Sequence, residues 1–181
     1  LKDLVMILGK SACGKSSVAD MIDKYLRYDK LVLCTTRPKR AKEFNGIDYY
    51  FIDDSEFKAK IIKDDFIYYS QYDTPDGSWY YGLEKAELDR HIYGVLVIEP
   101  DGARAIKERL GEFTKCKTIY IDSNDKERYI RQINRGDEIM EVSLRAIRDN
   151  VAFMGIEREI DYTVTGNTVS DIYREILKIL L

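Results

Sequence analysis

Short apolar runs alternate with amphipathic stretches along this chain of 181 residues. Continuous apolar runs are typical of buried strands, whereas apolar residues three or four positions apart are typical of helices. The pattern predicts strands at residues 4–8, 31–34, 94–98, 118–121 and 162–165, and helices at residues 17–26, 84–91, 103–110 and 169–181. Such alternation favours an α/β fold with a mainly parallel sheet, whose ligands lie at the carboxyl ends of the strands.

Two segments interrupt this alternation. Residues 35–83 are rich in tyrosine and charge, with short strand signals at 48–52 and 66–69 and a turn signal at Asp76-Gly77. Residues 124–150 are helical in pattern and dense in charge. We therefore predict a single domain with a core at residues 1–34, 84–123 and 151–181, an inserted subdomain at 35–83 and a helical segment at 124–150.

Composition and charge exclude some kinds of binding partner and metal site. The formal net charge is −3, which argues against general binding to nucleic acid or to a membrane surface, and no apolar run is long enough to span a membrane. The three cysteines are irregularly spaced and there is one histidine, so we expect reduced thiols in a cytoplasmic protein and no structural zinc.

The first predicted strand runs into a glycine-rich loop of the form G-x-x-x-x-G-K-[ST], followed by a predicted helix. In such a P-loop, main-chain N–H groups cradle phosphate oxygens, the lysine reaches the β- and γ-phosphates and the hydroxyl that follows ligates Mg²⁺. Lys15 and Ser16 take these two roles here. Cys13 either tunes the loop or fills a small-residue position. The nucleotide-binding candidates are Gly9, Ser11, Ala12, Cys13, Gly14, Lys15, Ser16 and Ser17.

A second cluster of cations follows the second predicted strand. Arg37, Lys39 and Arg40 lie within six residues. A guanidinium can grip a phosphate at two points, so the cluster indicates either a second phosphate site or a solvated basic loop.

Residues 35–51 resemble the T-T-R-x-x-R-x-x-E-x-x-G-x-D-Y-x-F pattern of the guanylate kinase family. The likeness continues, in order, at Tyr81-Gly82, residues 95–102, residues 131–136 and Asp161-Tyr162. The resemblance implies a P-loop kinase with a parallel core sheet flanked by helices, a nucleotide-monophosphate-binding subdomain and a helical lid. It also implies transfer of the ATP γ-phosphoryl group to GMP with Mg²⁺, in a monomer or homodimer.

The resemblance also implies roles for single residues. Arg37 and Arg40 would hold the acceptor phosphate together with the hydroxyls of Tyr49 and Tyr81, and Glu43 would orient Arg40 or the nucleotide. Arg131 and Arg135, with either Arg145 or Arg148, would close over the transferred group. The alternative for these lid arginines is surface ion pairing with the acidic residues nearby in sequence, Asp125, Glu127, Asp137, Glu138 and Glu141.

Some positions depart from the family pattern. The family has two acids at the end of the strand at 94–98; here the first position is Val97 and the second is Glu99, which faces either Mg²⁺ waters or the acceptor. Asp101 would either replace the missing acid or act as a helix N-cap.

Further departures fall on the positions that read the base. Leu33-Cys34 and Tyr68 stand where the family has a serine and a glutamate that read guanine, and Leu83 replaces a hydroxyl residue. Tyr68, Tyr69 and Tyr72 either stack on a base or are ordinary strand residues, and Trp79 either covers the pocket or anchors its loop.

These departures suggest an altered base preference, with Asp73 or Asp76 as a substitute carboxylate. The same residues are also compatible with a kinase for another (deoxy)nucleoside monophosphate or for a phosphorylated sugar, and with a non-catalytic protein-binding module.

Overall fold

A computed structural model describes residues 3–74, 77–111 and 114–181. In chain order the strands are β1 (Asp3–Leu8), β2 (Asp29–Lys30), β3 (Cys34–Thr35), β4 (Tyr50–Phe51), β5 (Phe66–Thr74), β6 (Gly77–Glu84), β7 (Tyr93–Val97), β8 (Lys115–Asp122) and β9 (Tyr162–Thr165). The helices are α1 (Lys15–Tyr25), α2 (Asp54–Ile62), α3 (Lys85–Asp89), α4 (Pro100–Leu110), α5 (Asp125–Asn134), α6 (Ile139–Ala152) and α7 (Val169–Leu180).

The core sheet has five parallel strands in the order β2-β7-β1-β8-β9. Every residue of β1 is buried. Leu4, Met6 and Leu8 belong to the apolar cluster on one face of the sheet, and Val5 and Ile7 belong to the cluster on the other. A strand covered on both faces has an uninterrupted apolar run, which is why β1 is predictable from sequence. The α/β fold with a parallel core sheet is confirmed.

A second, four-stranded sheet has the order β4-β3-β6-β5. Its largest part is the antiparallel hairpin of β5 and β6, in which Tyr72 lies opposite Trp79 and Thr74 opposite Gly77. The hairpin is longer than the predicted strand at 66–69. Asp76, part of the predicted turn, lies outside the described residues.

The single strand predicted at residues 31–34 is wrong. The Leu31 N–H donates to Val95 O of the core sheet (2.9 Å), whereas Leu33 O accepts from Tyr50 N–H of the second sheet (2.9 Å). The chain changes sheets within this apolar run, so the run divides between β2 and β3. Periodicity detects burial, but it does not detect a change of partner strand.

Several helix boundaries differ from the prediction: α1 begins at Lys15, two residues early, and α2 forms in a segment where only strands were predicted. α4 begins at Pro100, earlier than predicted, because proline is tolerated in the first helical turn. Its N-cap is therefore Glu99, and the N-cap role considered for Asp101 is wrong; Asp101 lies in the first turn and pairs with Arg104. α3 is shorter than the predicted 84–91 segment.

Residues 124–150 form the helix pair α5 and α6, as the pattern predicts. Asn124 caps α5 by accepting from Lys126 N–H at 2.9 Å. None of the described helices is long and apolar enough to cross a membrane. Cys13, Cys34 and Cys116 are all free thiols.

Candidate active site

The P-loop leaves the carboxyl end of β1 and enters α1 at Gly14, which has a left-handed φ of 100°. Lys15 Nζ folds back onto the loop and donates to Gly9 O at 2.5 Å and Lys10 O at 3.1 Å. Ser16 and Ser17 lie in the first turn of α1, where both are accessible to solvent. The loop is thus arranged around its own lysine, with an accessible hydroxyl at its mouth.

Close packing fixes the start of this loop. A Cβ on Gly9 would lie 2.5 Å from Cys13 Sγ and 3.0 Å from Ile121 O, so a side chain does not fit there. Cys13 is fully buried in the core cluster beneath the sheet. Its thiol packs against Gly9 as a small side chain would, in line with the position-filling alternative.

A second cationic centre lies in the loop after β3. Arg37 is 5% exposed, and its Nη2 donates to Glu43 Oε1 at 2.7 Å. Glu43 also accepts from the Arg40 main-chain N–H at 2.9 Å. Glu43 therefore orients the Arg37 side chain and the Arg40 backbone, whereas the Arg40 guanidinium lies 3.9 Å from it.

Positive charge is concentrated at this centre. Burial is the largest cause that lowers the pKa of the Arg40 guanidinium, and the charges of Arg37 and Arg145 lower it further. Burial alone would lower the pKa of Arg37, but its hydrogen bond with Glu43 keeps that pKa above the ordinary value. Arg37 and Arg40 share Glu43 Oε1, and Arg40 and Arg145 share Glu141 Oε1, so three guanidiniums from two parts of the chain lie close together, as suits a site for an anion.

Aromatic rings line the space beside this centre. The Tyr49 ring lies 5.4 Å from the Arg37 guanidinium carbon and 5.8 Å from the Tyr81 ring. The Tyr72 ring lies 5.6 Å from that of Tyr81. Burial raises the pKa of the Tyr49 hydroxyl to about 12, so this hydroxyl stays a proton donor at neutral pH.

Tyr68 has a different environment from these rings. It packs with Leu33 against the apolar cluster that contains buried Leu83. Its ring edge lies 2.7 Å from where a Cβ on Gly102 would be, so it closely covers the start of α4. Tyr69 is exposed on the opposite face, and Trp79 is half-buried in β6 opposite Tyr72.

The carboxyl of Glu99 interacts electrostatically with groups of both centres. Burial raises the pKa of its carboxyl, the Lys15 charge counteracts this, and Asp149 and Asp101 add to the increase. On the other side, burial raises the pKa of the Tyr72 hydroxyl, with Glu99 as the next cause. Glu99, the N-cap residue of α4, therefore interacts electrostatically with the P-loop lysine and with the Tyr72 hydroxyl.

The four arginines predicted to act in the lid have different hydrogen-bond partners. Arg131 Nη1 reaches Ala12 O of the P-loop at 3.2 Å. Arg135 Nε and Arg145 Nη1 share Asp137 Oδ2 at 2.7 and 2.8 Å. Arg148 Nη2 donates to Asp73 O in β5 at 2.8 Å. Arg145, whose partner Glu141 also contacts Arg40 at 3.5 Å, faces the second centre, and Arg148 does not.

Two residues at this site were not singled out from the sequence. Arg128 Nη1 donates to Ser11 O at 3.0 Å, and Asp149 Oδ2 accepts from Ser11 N–H at 2.8 Å. Neither residue stands out in the sequence, because both lie in a charge-dense segment. There the sequence alone does not distinguish a buried charged side chain from an exposed one.

A cleft of about 660 Å³ opens at the carboxyl ends of β8 and β9. Val169, which lies in sequence between the lining residues Asn167 and Asp171, is 3.6 Å from where a Cβ on Gly14 of the P-loop would be. Sequence reasoning missed this cleft, although its place at the strand ends follows the general rule for such sheets. Its lining residues are Asp122, Ser123, Asn124, Glu127, Thr165, Gly166, Asn167 and Asp171.

Comparison with known proteins gives one consistent result. The family model for guanylate kinase matches residues 2–181. A guanylate kinase of Prochlorococcus marinus subsp. pastoris is 29% identical over 186 residues, which cover 99% of this chain and 97% of that protein. A guanylate kinase of Clostridium perfringens is 30% identical over 185 residues, covering 98% of this chain and 82% of that one.

A solved structure agrees in fold. The crystal structure of guanylate kinase from Anaplasma phagocytophilum matches with a TM-score of 0.71 at 22% identity, over 99% of this chain and 85% of that chain. With a P-loop, a separate arginine centre and a family match along nearly its whole length, this chain belongs to the guanylate kinase family of nucleoside monophosphate kinases.

Proposed function

We propose that this protein transfers the γ-phosphoryl group of ATP to a nucleoside monophosphate, with GMP as the first candidate: GMP + ATP → GDP + ADP. The observation that carries the proposal is the grouping of Arg37, Arg40 and Arg145 around the shared carboxylates of Glu43 and Glu141, in a protein that also has a main-chain phosphate cradle. Two anionic nucleotides repel each other, so a kinase needs positive charge for both.

The reaction needs positioning more than proton transfer. The phosphate of the acceptor is already ionised at neutral pH, so no strong general base is required. Lys15 would leave the carbonyl groups of Gly9 and Lys10 and follow the β- and γ-phosphates. The guanidiniums would hold the acceptor phosphate in line and stabilise the charge that spreads over the transferred group.

Mg²⁺ is the proposed cofactor. The accessible hydroxyl of Ser16, at the mouth of the P-loop, is the protein ligand that fits it. Among the described residues no three histidine, cysteine or acidic side chains cluster into a metal site. The phosphates of ATP and water would therefore supply most ligands, as is usual for Mg²⁺. When bound, the ion neutralises phosphate charge.

The two predicted insertions would act as moving parts. We assign residues 35–83, which hold most of the second sheet, to acceptor binding and residues 124–150 to the lid. They touch each other directly through Arg40 with Glu141 and through Arg148 with Asp73 O. The cleft beside β8 and β9 would take the nucleoside part of ATP, because Val169, which lies in sequence between two of its lining residues, is close to Gly14 of the P-loop.

A second candidate function is a kinase with a relaxed or shifted base preference. Leu33, Tyr68 and Leu83 form part of one apolar cluster, at the positions where the family places polar groups that read guanine. Apolar pockets discriminate weakly between bases, whereas a site built from hydrogen-bonding groups discriminates strongly.

A panel of GMP, dGMP, AMP, dTMP, CMP and UMP with ATP and Mg²⁺ tests both candidates. Turnover of GMP with comparable turnover of another monophosphate would support the relaxed version, and strict GMP use would refute it. Leu33→Ser, with Leu83→Ser as a matched change in the same cluster, would then show which position controls the base. Failure to bind ATP in calorimetry would instead favour a non-catalytic binding module.

A further inference from the structure

A buried ion pair connects the two lid helices. Arg128 of α5 is 1% exposed and Asp149 of α6 is 6% exposed, and Arg128 Nη1 lies 3.4 Å from Asp149 Oδ2. Buried charges are costly unless they are paired and hydrogen-bonded. A second carboxylate, Asp125 Oδ1, accepts from Arg128 Nη2 at 2.5 Å. Arg128 is thus held by one exposed acid and one buried acid.

The buried acid also occupies the P-loop. Asp149 Oδ2 accepts from the Ser11 main-chain N–H at 2.8 Å, and Oδ1 accepts from Ser11 Oγ at 3.2 Å. Main-chain N–H groups of this loop are the groups that bind phosphate oxygens. A carboxylate of the chain itself therefore sits where an anionic ligand would bind.

The hydrogen bonding of this network is incomplete. Within the part of the chain that the structure describes, buried Arg128 Nε and Gln132 Oε1, one helical turn further along α5, have no hydrogen-bond partner. A buried polar atom without a partner loses its hydrogen bonds to water and gains none in return, which destabilises the folded state. The arrangement is satisfied around Ser11 but leaves two polar atoms unsatisfied behind Arg128, so Arg128 is not held by a complete hydrogen-bond network.

We infer that Asp149 is a positioning residue that couples ATP to the lid. Without nucleotide its carboxylate holds Ser11, and on binding the terminal phosphoryl group of ATP takes over the Ser11 N–H. Asp149 belongs to the same helix as Arg145, so this exchange of partners also moves the arginine that faces the acceptor centre. The inference rests on the proposed function, because it requires ATP to bind at the P-loop.

Calorimetric titration of ATP and ADP, without acceptor, tests the inference in the chain of 181 residues. Asp149→Asn keeps the shape of the side chain but makes it a weaker, neutral acceptor for Ser11. Asp125→Asn is the matched control, because it removes the same charge from the same Arg128 and leaves the Ser11 hydrogen bonds in place; its own contact with the P-loop is a long, partly exposed pair with Lys10 Nζ at 4.0 Å. We expect Asp149→Asn to tighten ATP binding about fivefold or more and ADP binding less than about twofold. Asp125→Asn should change both less than about twofold.

Equal effects of the two variants on ATP, equal effects of Asp149→Asn on ATP and ADP, or weaker ATP binding by Asp149→Asn would overturn the inference. If Asp149→Asn does not fold, the inference is tested in wild-type protein labelled with ¹⁵N-serine, by following the NMR resonance of the Ser11 amide. It should shift with a non-hydrolysable ATP analogue and much less with ADP, and identical shifts would contradict us. If wild-type protein binds neither nucleotide, the proposed function itself fails.

Discussion

The two anion centres of this protein are built from different parts of the chain. In the proposed donor site the P-loop offers main-chain N–H groups, and its geometry is set by close packing such as that of Gly9 against Cys13. The proposed acceptor centre offers side chains, and its geometry is set by partners such as Glu43, which holds Arg37. The main-chain site therefore requires that position 9 has no side chain. The side-chain site requires particular side chains, such as those of Arg37 and Glu43.

The comparison also explains how each centre is kept in place before its ligand arrives. In the P-loop, Lys15 and Asp149 bond to main-chain carbonyl and N–H groups. In the acceptor centre, carboxylates hold the cations: Glu43 holds Arg37, and Asp137 holds Arg135 and Arg145. In both centres an internal carboxylate, Asp149 or Glu43, thus accepts from a group that is proposed to bind an anion.

The largest effect should follow from Lys15→Ala. The substitution removes the cation of the P-loop but leaves its main chain, so we expect kcat to fall about 10²–10³-fold with every acceptor. Steady-state kinetics measures this, and an unchanged melting temperature shows that the fold is retained. A loss confined to one acceptor would contradict the assignment of Lys15 to the donor.

Arg37→Ala should break the acceptor centre alone. It removes a buried guanidinium and leaves Glu43 without its main partner, so we expect the KM for GMP to rise about 30-fold or more. The dissociation constant of ATP should change less than about twofold. Arg37→Lys keeps the charge but loses the two-point geometry, so its KM for GMP should lie between those of wild type and Arg37→Ala. Equal loss of ATP and GMP binding would show that the two centres are not separate.

Gly9→Ala should act on stability. The new Cβ meets Cys13 Sγ and Ile121 O, and overpacking of this kind costs about 1–3 kcal/mol. Urea unfolding measures the loss. The double variant Gly9→Ala/Cys13→Ala should recover part of it, because it removes the nearer contact, and no recovery would contradict this account of the loop.

Glu99→Gln should give the smallest effect, one that depends on pH. Burial raises the pKa of Glu99 above its ordinary value, so the ionised form costs stability at and above that raised pKa. The variant should therefore melt at a higher temperature than wild type near pH 8. The difference should shrink as pH falls and vanish below the ordinary carboxyl pKa. A difference in melting temperature that stays constant across this pH range would mean that burial does not raise the pKa of Glu99.

The sequence was most informative where backbone geometry controls structure. The fully buried β1 and the glycines of the P-loop have residue patterns that few other structures allow, so both were predicted with their neighbours. Arg37, Arg40 and Glu43 were found through family resemblance, because a cluster of cations alone does not distinguish a site from a solvated loop. Their pairing, in which Glu43 holds Arg37 more closely than the Arg40 guanidinium, needed the structure.

The sequence was least informative about long-range partners. Arg128 and Asp149 meet across α5 and α6, and nothing in a charge-dense segment shows which charges face inward. Leu31 and Leu33 fall in one apolar run but bond to different sheets. In each case the residue type was visible, and the partner was fixed by a contact far along the chain.

The central claim is that the two anion centres face each other across one gap. A bisubstrate probe, adenosine and guanosine joined through five phosphates, tests it directly by calorimetry. We expect it to bind at least about 100-fold more tightly than ATP, because linking two ligands makes the second binding event intramolecular. Lys15→Ala and Arg37→Ala should each abolish most of this gain. Binding no tighter than that of ATP, in a protein that binds ATP and GMP separately, would contradict the account.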